Sequence, residues 1–328
     1  MSSIRIGVWV QGGLPAPVAA ELAERVEQAG VDAFWAAEGI VARDAFVTLS
    51  AAAVKTSRVE LGTGVVNPFT RHPAQLAASF ATLDELSEGR AVCGLGIGAR
   101  DLLEPLGMDV SKPLTTAREM IEIVRRLLAR EAVTLEGKKF SLDGVGLGLV
   151  PPREEIPIFL AAAGPKMSEL AGAEADGIYA LYGTREYITR IVDLANQGRS
   201  GERPFRVACP VVMAADEDRE AARKRVKAAI GLMLTEPYGE EFLKANGLDP
   251  ELAGRIRDGF ATGGIRGLRD AVDGSIVDSL TIAGDVGECV ERFEEMISWG
   301  VTEPQALLTG PDPEPVLRVL STLREAVA

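Results

Sequence analysis

Two acidic residues stand where a side chain could exchange protons with a substrate. Glu38 ends the second predicted strand, residues 33–37, and Asp101 follows the fourth, residues 91–95. In a sheet of parallel strands both carboxyl groups would lie at the edge formed by the strands' carboxyl ends, where such folds bind ligands. A carboxyl group in that position can act as a general acid or base. The sequence therefore predicts Glu38 and Asp101 as candidate proton-transfer residues.

Other polar residues nearby have simpler interpretations. Asp44 precedes a predicted helix and is placed to cap it or to pair with Arg43. His72, directly before Pro73, fits a helix entry better than a catalytic base. Because it is the chain's one histidine, histidine-rich metal sites are excluded, and we predict no metal.

Glycines follow two of the predicted strands. Gly62 and Gly64 interrupt the third strand, and Gly94, Gly96 and Gly98 end the fourth. Because glycine has no Cβ, backbone amides there can approach a flat ring or a phosphate. Tight packing of strands near a barrel axis would require the same residues, and spacing alone does not decide between the two.

Charged and helical features at the same edge suit an anion. The segment Ala163-Gly164-Pro165-Lys166-Met167 opens the helix after the fifth predicted strand, so unpaired amides and one ammonium group meet there. The alternative is a proline-started helix with a solvated lysine. Arg43, Arg71 and Arg100 follow the second, third and fourth strands and could add positive charge. Some of them could instead pair with Glu38, Asp44 or Asp101, and we expect at least one to be structural.

The elements that position these residues repeat one pattern of helix, glycine, short apolar strand and loop. Eight strands are predicted, near residues 4–10, 33–37, 59–66, 91–95, 158–162, 177–181, 207–214 and 306–308. That count is typical of an α/β protein built as a (β/α)8 TIM barrel. The rival is a doubly wound open sheet, suggested by GLGIGARD at 94–101, which lacks a clean helix directly after it.

We predict a single domain, residues 1–328, with two long excursions. They cover about residues 99–150, after the fourth strand, and about 215–285, after the seventh. The first should contain a helix over 115–129 and a hairpin over 133–144, and the second should be mostly helical with glycine-rich joints around 254–267. Their length permits a role as lids over the catalytic face.

Composition narrows the partners. The net charge is −13 and there is no basic run, which argues against a nucleic-acid partner. The sequence contains no stretch of 18 apolar residues, so we expect no membrane-spanning helix. Cys93, Cys209 and Cys289 are far apart and read as buried packing residues in a reducing compartment. We expect a cytoplasmic enzyme acting on a small molecule.

Three blocks carry a family resemblance in the same order along the chain. They are LGTGVVNPFTRHP at 61–73, ATLDELSEGRAVCGLGIGARD at 81–101 and AAAGPKMSELAGAEADG at 161–177. Together they resemble the bacterial-luciferase-like superfamily, and within it the branch containing methylenetetrahydromethanopterin reductase, which uses the deazaflavin coenzyme F420.

The resemblance implies a redox site. It implies a non-proline cis peptide at Gly64–Val65 against the cofactor ring, with Asn67, Gly96 and Gly98 beside it. The segment from Ala163 to Met167 would then take the phosphate or tail, and the chain would form a homodimer. Because the superfamily also uses FMN, an FMN-dependent monooxygenase is the first alternative.

The sequence departs from the family in one respect. The reductases carry a glutamate near the end of the first strand, where this chain has Trp9, and related deazaflavin dehydrogenases carry a histidine after the second strand, where it has Glu38-Gly39-Ile40. Trp9 is thus a catalytic-site candidate by position, and with Ile40 it favours a partly apolar substrate. The missing acid–base groups leave a second alternative, a barrel that binds the cofactor without catalysis.

Overall fold

Strands and helices alternate through most of the chain. The computed structural model describes residues 4–201, 203–309 and 312–327. The strands are β1 (Gly7–Val10), β2 (Ala33–Ala36), β3 (Glu60–Thr63), β4 (Ala91–Leu95), β5 (Val133–Glu136), β6 (Ser141–Val145), β7 (Ile158–Ala162), β8 (Gly177–Ala180), β9 (Arg206–Ala215), β10 (Thr281–Gly284) and β11 (Glu303–Leu308). The helices are α1 (Ala16–Gln28), α2 (Ala45–Ala53), α3 (Pro73–Leu86), α4 (Arg100–Leu103), α5 (Pro113–Leu128), α6 (Pro165–Glu174), α7 (Arg185–Gly198), α8 (Arg219–Thr235), α9 (Gly239–Ala245), α10 (Glu251–Ala271), α11 (Gly274–Leu280), α12 (Val286–Ser298) and α13 (Glu314–Val327).

The parallel strands close into a barrel. Neighbours follow the order β9, β11, β1, β2, β3, β4, β7, β8, and β8 pairs back with β9 through Ile178 and Val207. That last pairing excludes the open doubly wound sheet, and the predicted TIM barrel is confirmed. Within the described part of the chain, one further parallel strand, β10, is not a member of this ring. Its residues Thr281 to Gly284 pair with the carboxyl-terminal part of β9, from Val212 to Ala215.

Aromatic side chains fill the barrel interior. Trp35 lies 5.3 Å from the ring of Phe159 and 5.1 Å from that of Tyr179, and all three are buried. Glycine on adjacent strands makes room for the indole, since a Cβ on Gly62 would stand 2.4 Å from Trp35 Cδ2. Gly62 therefore has the structural role that was one of the two interpretations of the glycines, since it allows close packing inside the barrel.

Below these rings lies a charged layer that the sequence did not reveal. Glu303, fully buried, accepts hydrogen bonds from Trp35 Nε1 at 2.7 Å and from Arg206 Nε at 3.1 Å. Arg206 also donates to Glu60 at 2.8 Å, and Glu60 pairs with Arg5 at 3.1 Å. Burial alone would lower the pKa of Arg206, but Glu303 and Glu60 raise it above its usual value. Opposite charges thus compensate one another inside the barrel.

The second excursion contains the glycine-rich joint expected around 254–267. It lies at Gly264, where φ 58° and ψ −148° interrupt α10 and divide it into two helical segments. Helix α11 and strand β10 were not predicted at all.

In the same excursion, α9 packs against the loop that follows β8. The ring of Phe242 packs at a tilt against that of Tyr182, with 4.8 Å between the ring centroids, and Asn246 Oδ1 accepts from Thr184 N at 2.8 Å.

The first excursion contains the predicted hairpin, β5 paired antiparallel with β6. Its apolar side chains, including Val133 and Leu142, pack with Ala77 of α3 and Ile123 of α5. The hairpin is therefore part of the helical layer, and the lid role expected for the two excursions, about residues 99–150 and 215–285, stays a prediction.

Glu119 of α5 holds the hairpin turn. Its carboxylate accepts backbone N–H groups from Lys138, Lys139 and Phe140 at 2.7, 2.9 and 3.0 Å. Burial opposes ionisation, but these three donors lower the pKa of Glu119 below its usual value. A group with a depressed folded-state pKa stabilises above the unfolded pKa, and that stability is lost as the pH falls through the folded value.

We expect Glu119→Gln to cost about 1–3 kcal/mol at neutral pH, because the amide NH₂ would face at least one of the three N–H donors and the others would lose a charged acceptor. Hydrogen exchange of the hairpin amides measures the loss, and the variant should show less weakening below about pH 4.5 than the parent protein does. Glu122→Gln on the same helix is the matched control, since Glu122 is exposed and pairs only with Arg126, at 3.2 Å, in this part of the described chain. Equal exchange in both variants would contradict the role of Glu119.

Remaining sequence expectations concern cysteines and membranes. Cys93, Cys209 and Cys289 are buried free thiols, and burial raises the pKa of Cys209 to about 12. Across the described residues we find no helix long and apolar enough to cross a membrane.

Candidate active site

The chain leaves β3 through Gly64 and Val65, at the carboxyl end of the barrel. Trp9 of β1 donates its indole N–H to the Gly64 carbonyl oxygen at 3.0 Å, and the Gly64–Val65 peptide bond is cis. Val66 then pairs with Leu95 of β4. A half-buried side chain therefore fixes the orientation of the Gly64 carbonyl.

Asn67 holds the next turn. It is only 4% exposed, and its Oδ1 accepts from the backbone N–H groups of Phe69 and Thr70, both at 3.0 Å. Asn67 therefore shapes the segment that leads from Gly64 to α3. His72 ends this segment as the N-cap of α3, where its Nδ1 accepts from Ala74 N at 3.2 Å, as expected for a helix entry.

Gly96 lies beside Val65 at the exit of β4. A Cβ on Gly96 would stand 2.6 Å from Val65 Cγ2 and 3.1 Å from Ala161 Cβ, so only glycine lets these walls approach. Gly98 has φ +65°, a left-handed conformation that turns the chain into α4. Glycine is thus required for a different reason at each position: close packing at Gly96 and a left-handed backbone turn at Gly98.

The helix that follows β7 presents its N-terminus at the same end of the barrel. Gly164 is the N-cap of α6 without a capping side chain, and a Cβ on it would have nothing within 4 Å. Ala163, Pro165 and Lys166 are exposed, whereas Met167 is buried against the core. Open space, uncapped amides and a lysine meet here, which is the arrangement that suits a phosphate.

Glu38 is committed to structural contacts. Its Oε2 accepts from Ala45 N at 2.7 Å, its Oε1 accepts from Arg71 Nε at 3.0 Å, and the side chain is 7% exposed. Arg71 also pairs with Asp44, the N-cap of α2. Although burial opposes it, the Val47 N–H and Arg71 lower the pKa of Asp44. Glu38, Asp44 and Arg71 join the loop after β2 to the loop after β3.

The remaining charged candidates, Arg43, Arg100 and Asp101, are more exposed to solvent than Glu38 and Arg71. Asp101 is exposed in the first turn of α4. Arg100 pairs with Glu104 at 2.8 Å, and Arg43 donates to the Gly13 carbonyl at 2.8 Å. The proton-transfer roles of Glu38 and Asp101 stay predictions. Arg71 is the structural arginine that was expected among the three.

Tyr179 is a site residue that sequence reasoning missed. Its hydroxyl donates to Gln305 Oε1 at 3.0 Å, and burial raises its pKa well above the usual value. A Cβ on Gly64 would stand 3.0 Å from this hydroxyl. The available signal was the alternation of β8, which directs Tyr179 to the same side of the sheet as its neighbour Ala208.

A cleft opens beside Trp9. It has a volume of about 320 Å³ and lies between the ends of β1 and β11 and one side of α1. It is lined mainly by apolar residues, among them Trp9, Leu14, Leu22, Leu307 and Leu308. Gln11, Glu21 and Arg25 supply its polar lining. In the described ranges, no group of three or more His, Cys, Asp or Glu could hold a metal ion.

Several known proteins are similar to this chain in sequence or in structure. The family model described as luciferase-like monooxygenase matches residues 1–303. A 5,10-methylenetetrahydromethanopterin reductase of Methanolobus tindarius is 31% identical over 306 residues, which cover 92% of this chain and 93% of the relative. The solved F420-dependent tetrahydromethanopterin reductase of Methanopyrus kandleri superposes with a TM-score of 0.88 at 26% identity, covering 98% of both chains.

The same architecture is found with another cofactor. The oxygenating constituent of 3,6-diketocamphane monooxygenase of Pseudomonas putida, solved in complex with FMN, has a TM-score of 0.75 and 18% identity, covering 99% of this chain and 98% of that one. At that identity the likeness concerns the fold alone.

Proposed function

The chain belongs to the luciferase-like monooxygenase family, and on that premise we propose that it is a coenzyme F420-dependent oxidoreductase that transfers a hydride between the deazaflavin and an organic substrate. The family expected from the sequence is confirmed. The observation that carries the proposal is the 31% identity to an F420-linked class of reductase over nine-tenths of both chains, together with an apolar, glycine-lined site where the ring would bind.

The cofactor would contribute two-electron hydride chemistry, and the protein would contribute binding and orientation. One face of the ring would rest on Gly64 and Val65, with Gly96 beside it. The close approach of Val65, Gly96 and Ala161 supports this position, because it forms a wall without polar side chains.

The phosphate and tail would lie at Gly164, Pro165, Lys166 and Met167. Support comes from the open space beside Gly164 and from the uncapped N-terminus of α6, which adds partial positive charge to the ammonium group of Lys166. Arg71 is already paired with two carboxylates and is not assigned to the tail.

The substrate would be a small, partly apolar molecule. Trp9 and Ile40 would line its side of the site, and the cleft beside Trp9 is lined by leucines with a few polar groups. Asp101 is the better of the two predicted acids for contact with substrate, since it is exposed while Glu38 is bonded through both oxygens.

We also propose a homodimer formed through α2 and α3. Val47 and Val54 of α2 and Leu86 of α3 are 61%, 69% and 43% exposed, which leaves apolar side chains of both helices in solvent. A monomer in sedimentation velocity would refute this part of the proposal.

A parallel titration with F420, FMN and NADPH tests the function. We expect F420 to bind at least about tenfold more tightly than the other two, a difference of roughly 1.4 kcal/mol. Tighter FMN binding would favour the monooxygenase alternative instead. Tight F420 binding without turnover across a panel of aldehydes, ketones and imines would favour a barrel that binds the cofactor only.

A further inference from the structure

Two aromatic side chains converge on Gly64 from inside the barrel. If a Cβ were built on Gly64, it would stand 2.6 Å from Trp9 Nε1 and 3.0 Å from the Tyr179 hydroxyl. Trp9 comes from β1 and Tyr179 from β8, so the residue after β3 is contacted from two other sectors of the barrel.

Both side chains are themselves held. The Trp9 N–H is bonded to the Gly64 carbonyl at 3.0 Å. The Tyr179 hydroxyl donates to Gln305 Oε1 at 3.0 Å, and Gln305 Nε2 donates to Glu303 Oε1 at 2.9 Å. Tyr179 is 3% exposed, and Gln305 and Glu303 are fully buried. Of the two side chains, Tyr179 is therefore anchored in the charged layer of the barrel, and Trp9 is bonded directly to Gly64.

These contacts decide what Trp9 can do. Its one donor is used by a backbone carbonyl, and an indole has no acceptor, so Trp9 has no proton to exchange with a substrate. The Tyr179 hydroxyl is buried and already donates to Gln305. Neither residue is suited to acid–base chemistry, whereas both restrict how the Gly64 peptide can rotate.

We propose that Trp9 and Tyr179 are positioning residues that fix the Gly64 peptide as the surface on which the cofactor ring lies. The inference rests on the proposed function only for the position of the ring, and it applies equally to a deazaflavin and to a flavin. Without the Trp9 hydrogen bond, the Gly64 carbonyl is free to turn toward the ring, and the site loses its preformed shape.

The test compares Trp9→Phe, which keeps an aromatic ring but removes the donor, with Tyr179→Phe, which removes only a hydroxyl. Trp299→Phe is the matched control, because Trp299 is equally aromatic but lies at the end of α12 against Arg292. Fluorescence titrations give the Kd for oxidised and reduced F420, and for FMN, with thermal unfolding measured in parallel.

We expect Trp9→Phe to raise the Kd for the bound ring about tenfold and Tyr179→Phe to raise it about threefold, with the control within about twofold. The ratio of the Kd values for oxidised and reduced F420 should also change, since the two states differ in ring shape. A purely structural role would lower the melting temperature and the fraction of binding-competent protein while leaving the Kd and this ratio unchanged.

Unchanged Kd values and an unchanged ratio in both variants would overturn the positioning role while leaving the proposed function intact. If the parent protein binds FMN instead of F420, the proposed function fails, but the same Kd changes measured with FMN would still support positioning. A parent protein that binds neither ring would overturn both. If Trp9→Phe does not fold, the Tyr179→Phe result decides alone.

Discussion

Replacing Glu303 by alanine is expected to lower the free energy of unfolding by about 3–5 kcal/mol, the largest stability effect that we predict. The carboxylate is fully buried, and its removal leaves Arg206, which is 18% exposed, with Glu60 as its remaining ionic partner among the residues that the structure describes. The Trp35 and Gln305 N–H groups lose their acceptor as well. Urea unfolding followed by circular dichroism measures the loss.

The matched control is Glu104→Ala, which removes an exposed carboxylate paired with Arg100 at 2.8 Å and should cost less than about 1 kcal/mol. If Glu303→Ala does not fold, Glu303→Gln replaces it, because the amide retains one acceptor for Trp35 while losing the charge. A loss no larger than that of the control would show that the charged layer does not stabilise the barrel.

The second large effect is expected at Gly64, and it concerns binding. In Gly64→Ala the new Cβ would stand 2.6 Å from Trp9 Nε1 and 2.8 Å from Trp9 Cδ1, so the indole must move and give up its bond to the Gly64 carbonyl. We expect the Kd for F420 to rise about 30-fold, equivalent to roughly 2 kcal/mol. Isothermal titration calorimetry on folded variant protein gives this value.

Gly148→Ala is the control for Gly64→Ala. A Cβ on Gly148 would have nothing within 4 Å, so the same chemical change should leave F420 binding within about twofold of the parent protein. An unaltered Kd in Gly64→Ala would mean that the ring does not lie against this residue.

The barrel could be predicted because its local signals agree. Short apolar strands followed by glycine and by a helix recur through the chain, and each strand reads as buried whatever its position in the sheet. Strand β10 was missed because it has only four residues, Thr281 to Gly284, and stands directly between helices α11 and α12. The joint within α10 could be predicted because glycines lower helix propensity, and in the structure Gly259 and Gly267 allow the two helical segments to touch, with a Cβ on Gly267 only 2.2 Å from Gly259 O.

The local shape of the candidate site was predictable where the backbone itself makes it, while the binding roles of these residues stay predictions. Gly64, Gly96 and Gly98 could be singled out because glycine reports a local steric demand. Tyr179 and Gln305 could not, because their role depends on which strands become neighbours after the barrel closes. Glu303 was missed for a related reason. Pro304 made residues 303–305 read as a loop, although Pro304 lies within β11 opposite Cys209.

The charged layer around Glu303 and the glycines at the carboxyl end of the barrel, Gly64 and Gly96, lie at different levels of the same barrel. Aromatic side chains such as Tyr179 lie between the two levels. Residues that line the cleft beside Trp9 can therefore be changed without touching Glu303 or Arg206. That separation makes the chain a practical scaffold for directed evolution. Libraries aimed at Leu14 and Leu308 would vary the proposed substrate side of the site, while the interior that contains Trp35 and Glu303 keeps its native residues.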